Sequence, residues 1–139
     1  MDYKEIFTIS GKSGLFKLLS RSKNNAIVES VTDHTRIPLF MSSKASSLEE
    51  IYLFTEEGNL PLKDVLKRIH THAGGGEAID PNAPESEIRN YFAEVVPEYD
   101  RNRVHYSDMK RLFSWYRILL SAGLLVTEEE KGEAEEKAE

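Results

Sequence analysis

Residues 74–83, GGGEAIDPNA, divide the chain more sharply than any other feature of its sequence. Three consecutive glycines cannot continue a helix cheaply, each costing about 1 kcal/mol there relative to alanine. The proline and asparagine that follow favour a turn or loop. Before this segment apolar residues gather in short runs, and after it they recur at helical spacing. The expectation is an α+β protein: a sheet-rich unit over 1–73 with a terminal helix, a glycine-rich linker over 74–83, and a helical pair over 84–126.

In the first unit, "IFTI" reads as a strand, and four further apolar runs follow at 14–20, 26–32, 36–42 and 51–55. Short strands separated by polar turns suit a curved antiparallel sheet or a small barrel. Pro38 inside the third of these four runs argues for an edge strand or a bulge, because proline cannot donate to a ladder. After Asn59, a candidate cap, Pro61 suits a first helical turn. Leu62, Val65, Leu66 and Ile69 then keep a spacing of i, i+3, i+4, i+7.

Beyond the linker, Asn82 is a candidate cap with Pro84 and Glu85 after it, and Ile88, Tyr91, Phe92, Val95 and Val96 form one stripe that Pro97 ends. Ser107 and Asp108 suit the start of the last helix. Its stripe is Met109, Leu112, Phe113, Tyr116, Leu119 and Leu120, with Gly123 as the stop. Trp115, Ile118 and Ala122 lie off that stripe on a second apolar line. A helix apolar on two sides is either sandwiched in a core or offers one face to a partner. These three residues are the candidate partner surface.

The net charge of −6 is unevenly spread: +1 over 1–73, −2 over 74–126 and −5 over 127–139. The last segment, TEEEKGEAEEKAE, has no large apolar residue to bury and reads as an acidic disordered tail. The chain has no cysteine, which removes thiol catalysis and zinc–thiolate sites and fits a cytoplasmic protein. No apolar run approaches the roughly 20 residues that span a bilayer, and the N-terminus does not read as a secretory signal.

Gly11-Lys12-Ser13 ends like a phosphate-binding loop, but the first glycine of that motif would fall on Ile6, and Gly14 stands where its helix should start. A tight turn into a strand is the expectation. His34, His70, His72 and His105 have no metal-ligand spacing, and Asp100 and Asn102 lack the glycine and glutamate of a calcium loop. No serine has the context of a nucleophile. No cofactor, metal or catalytic residue is therefore expected. Lys12, Lys17, Arg21 and Lys23 lie close together around one strand, with Lys17 and Arg21 sharing strand parity. They are the candidate basic strip for a nucleic acid.

With FTISGKSGLFKLLSRSKNNAIVES and RVHYSDMKRLFSWYRILL both in view, the chain resembles an uncharacterised family of bacterial proteins defined only as domains of unknown function. The first stretch is similar to its ISGK-GLFK-like segment and the second to its RV…SD…K…WY-like segment. The resemblance covers the chain up to about residue 125 and implies a small SH3-like barrel followed by helices. It carries no activity, cofactor or catalytic residue. The leading reading is a non-enzymatic binding or adaptor module, acting on a protein partner or on itself. The alternative is an RNA- or DNA-associated small-barrel protein, and an enzyme ranks last.

Overall fold

The structure is a computed structural model and describes residues 3–12, 14–23, 25–40 and 44–125. Five strands form one antiparallel sheet: β1 (Ile6–Ile9), β2 (Phe16–Arg21), β3 (Asn25–Ser30), β4 (Arg36–Phe40) and β5 (Ala45–Ser47), in the order β4-β3-β2-β1-β5. The chain then makes a hairpin of β6 (Tyr52–Thr55) and β7 (Gly58–Pro61) and three helices, α1 (Leu62–His72), α2 (Glu85–Val95) and α3 (Tyr106–Ala122).

The antiparallel sheet expected from the sequence is present, but among the described residues it does not close into a barrel. Among the described residues β4 pairs only with β3 and β5 only with β1, so the sheet has two edges. Pro38 sits on the β4 edge, opposite Ile27. Two strands had no sequence signal. The segment Ala45–Ser47 has one small apolar residue, and Gly58–Pro61 begins with glycine and ends with proline.

Gly11 and Gly14 form the turn between β1 and β2, each with φ of 84°. The Lys12 amide closes it by donating to the Ile9 carbonyl at 3.0 Å. The two strands pair antiparallel with Phe7 opposite Phe16, so this is a hairpin and not a strand-to-helix phosphate loop. A Cβ at Gly14 would meet nothing within 4 Å, leaving the left-handed backbone as the sole cost. Gly14→Ala should therefore lower stability by about 1 kcal/mol in urea unfolding. Gly76 has no such φ, and its added Cβ makes only ordinary contact with the Ala73 carbonyl at 3.8 Å. There the same substitution should be neutral or stabilise by up to about 1 kcal/mol.

Each helix buries the stripe its periodicity marked: Leu62, Val65, Leu66 and Ile69 on α1; Ile88, Phe92 and Val95 on α2; Met109, Leu112, Phe113, Tyr116 and Leu119 on α3. The starts differ from expectation. Pro61 still belongs to β7 and precedes α1 directly, Pro84 precedes α2, and His105 rather than Ser107 caps α3. The His105 amide donates to the Asp108 carboxylate at 3.0 Å, which satisfies one orphan donor and places a negative charge at the positive end of the helix. Gly123 stops α3 in the left-handed region, with φ of 69°.

The main core draws on both sides of the glycine-rich segment, from Tyr3, Ile6 and Leu15 through α1 to α2, α3 and Leu125. Residues 74–83 are fastened to it. Ala78, Ile79 and Ala83 pack against the core, Pro81 is buried, and the Tyr116 hydroxyl donates to the Gly76 carbonyl at 2.6 Å. A second, smaller cluster of Ile9, Phe16 and Val28 lies on one face of the sheet. The acidic tail lies outside the described residues.

Candidate functional site

The second line on α3 extends further than its apolar members. Ser107, Lys110, Arg111, Ser114, Trp115 and Ile118 follow at helical spacing, off the core stripe, and all line one open groove. Its opposite wall is the β1–β2 turn and the start of β5, including Ser10, Lys12 and Lys44, and the groove has a volume of about 1210 Å³. Trp115 and Ile118 are half-buried, packed against the main core and also lining the groove.

The electrostatics of the groove are one-sided. Lys12, Lys44, Lys110, Arg111 and Arg117 line it, and none of its described lining residues is acidic. Arg117 reaches Asp80 at 3.5 Å and Arg111 reaches Asp108 at 3.9 Å, both from outside the groove. Lys12, Lys44 and Lys110 have no ion-pair partner among the described residues. On the far side of Arg111 and Trp115 is a smaller cleft of about 140 Å³ that also touches Tyr52 and Phe54. Tyr52 and Phe54 are exposed, at 56% and 41%, and the Arg103 guanidinium lies 5.1 Å from the Phe54 centroid.

Ala122 lies apart from Trp115. It is exposed and lines a second concavity of about 580 Å³, together with Ile118, Lys17, Glu29 and His34. Of the candidate partner surface, Ile118 thus borders both concavities, Trp115 the first and Ala122 the second. His34 holds φ of 64° at the β3–β4 turn, where its amide donates to the Ser30 carbonyl at 2.9 Å. Its ring lies 3.3 Å from Glu29, and Arg36 donates to the same carboxylate at 3.2 Å. These two hydrogen bonds, His34 first, hold the Glu29 carboxyl below its usual range.

The four cations of the basic strip are not brought together. A bulge between Leu18 and Ser20 shifts the β2 register, so Lys17 stands opposite Glu29 while Arg21 stands opposite Ala26. Positions 26 and 29 alternate on β3, so Lys17 and Arg21 project from opposite faces and the shared parity is lost. Lys17 borders the second concavity, Lys12 the groove, and the exposed Arg21 and Lys23 line neither. The cationic groove itself had no local signal. Lys12, Lys44 and Lys110 are far apart in sequence and meet only through the fold. The readable part was the α3 line, continued back from Trp115 through Arg111 and Ser107.

Among the described residues no three His, Asp or Glu side chains gather as a metal cluster would. Other shifted groups have partners away from the groove. The Tyr91 and Tyr116 hydroxyls are raised by burial first. The Glu98 carboxyl is lowered, first by its own backbone amide and then by Arg68, whose guanidinium donates to it at 2.9 Å. A depressed carboxyl stabilises the fold above its ordinary value of 4.5, and that contribution is lost as pH falls through the folded value. Arg68→Gln should raise the Glu98 midpoint toward 4.5 in a carboxyl-carbon NMR titration.

Two family descriptions match the chain. Residues 3–48 match "Domain of unknown function (DUF5606)" and residues 51–119 match "Domain of unknown function (DUF6852)". They meet where the β6–β7 hairpin begins, yet both contribute to the main core. A solution NMR structure of a structural-genomics target from Bacteroides vulgatus is similar at 40% identity and a TM-score of 0.73, over 91% of this chain and 92% of that one. No curated protein matches the chain. No helix among the described residues is long and apolar enough to cross a membrane.

Proposed function

We propose that this chain, which belongs to the bacterial family of domain-of-unknown-function proteins marked by DUF5606 and DUF6852, is a non-enzymatic cytoplasmic binding module. Its binding surface is the groove around Trp115 and Ile118, and its partner is a protein, either another chain or a second copy. The observation that carries this reading is the α3 line: a helix whose core stripe is fully used presents a second stripe to a groove that no other described element fills. Half-buried tryptophan beside cations is a composition that binding surfaces favour and solvated helix faces do not. Among the described residues, the titrating groups with shifted values lie outside the groove.

The test is comparative capture with the full chain. Ser114→Tyr fills the groove from α3, while Glu57→Lys changes an exposed charge on the β6–β7 turn. A protein retained by the wild type and by Glu57→Lys, but lost by Ser114→Tyr, is the expected result. Sedimentation velocity on the same three proteins reads self-association in the same way. Retention and sedimentation unchanged by Ser114→Tyr would remove the groove from the binding surface.

A further inference from the structure

We infer that the occupant of the groove is an extended acidic polypeptide segment with an apolar side chain seated beside Trp115. This rests on the binding-module reading and adds the chemistry of the partner. Charge is the first argument. Five cations and no described carboxylate line the groove, and Lys12, Lys44 and Lys110 have no ion-pair partner among the described residues. Such a one-sided lining raises the local concentration of anions and rejects basic segments.

The rest of the lining separates a polypeptide from a nucleic acid. Ile9, Ala45, Ile51, Pro81 and Ile118 give the groove an apolar share that suits side chains of a peptide. One wall includes Ala45 and Ser46 of β5, an edge strand whose outer side pairs with no other described strand. An edge of this kind offers backbone donors and acceptors to another extended backbone. Nucleic-acid grooves instead set several aromatic rings in series for stacking, and Trp115 is the one aromatic residue among those described in this groove. The sequence holds 24 Asp and Glu against 18 Lys and Arg. Among the described residues Asp and Glu equal Lys and Arg in number, so with five of the cations gathered here the rest of them carry an excess of acid, which disfavours a polyanion longer than the groove.

Trp115 is the only tryptophan in the chain, so its emission reports this site directly. The experiment titrates the full chain with a decapeptide of Glu and Asp carrying a central Leu-Phe pair. The comparison ligands are the same peptide with Lys in place of the acids, and decathymidylate. The acidic peptide should shift Trp115 emission to shorter wavelength and bind at least about tenfold tighter than either comparison ligand, weakening as salt rises. Combined Lys12→Glu, Lys44→Glu and Lys110→Glu, all on exposed residues, should cost at least about tenfold in affinity with the melting midpoint unchanged. Equal binding of the acidic and basic peptides, no binding at all, or tighter binding of decathymidylate would each overturn the inference, the last in favour of a nucleic acid. The two readings fail separately. A captured protein lost by Ser114→Tyr but kept by the triple reversal leaves the binding module standing and removes the acidic partner. A protein kept by both removes the two together.

Discussion

Phe92→Ala should lower the stability of the chain by about 3–5 kcal/mol, the largest single effect the structure implies. Phe92 is completely buried, on the face of α2 that meets α3. Its ring packs edge-on against Tyr99 at 5.1 Å and Phe113 at 6.1 Å between centroids. Removing it leaves a void bordered by the Tyr99 ring of the α2–α3 loop and the Phe113 ring of α3, and backbone hydrogen bonds of that loop limit its collapse. The Asp100 amide donates to the Phe54 carbonyl at 3.0 Å, and the Glu56 amide to the Glu98 carbonyl at 2.9 Å, tying that loop to the hairpin. Because both matched segments share this core, the whole chain should unfold in one transition shifted to lower urea concentration. Two transitions, with only the helical one shifted, would contradict a shared core.

Trp115→Ala should show the second largest effect, of a different kind. Trp115 is half-buried, with one side on the core and the other lining the groove. Truncation forfeits only part of the 3–5 kcal/mol that a fully buried tryptophan would, so roughly 1–3 kcal/mol is expected in urea unfolding. The variant should stay folded and lose the captured protein. A cost as large as that of Phe92→Ala would make Trp115 a core residue alone. Ser114→Tyr separates packing from binding, because it adds volume to the groove without removing a core contact.

The helices were legible because their signal is local. Leu62, Val65, Leu66 and Ile69, or Met109, Leu112, Phe113 and Tyr116, mark a buried face whatever the rest of the chain does. Helix starts were less legible because proline can precede a helix without a side-chain cap, as Pro61 and Pro84 do here. The β5 and β7 strands were hidden because pairing with β1 and β6 makes them strands, not their own apolar pattern. Lys17 and Arg21 looked like neighbours on one face because strand parity assumes an unbroken ladder, and one bulge reverses it. The open edges of the sheet were equally out of reach, since closure depends on whether β4 meets β5 and no local residue states it. The groove combines both cases. Trp115 and Ile118 could be read as a second line on α3, whereas Lys12 and Lys44 join them only through the turn and strand opposite.

The measurement that bears most directly on the groove is an NMR titration of the isotope-labelled full chain with the protein it captures. Backbone amides of Lys12, Lys44, Lys110, Arg111 and Ser114, and the Trp115 indole N–H, should shift together and saturate together, because they line one groove. Shifts confined to the β4 edge, or to the exposed face of α2 at Arg89, Asn90 and Glu94, with the groove signals unmoved, would contradict the account.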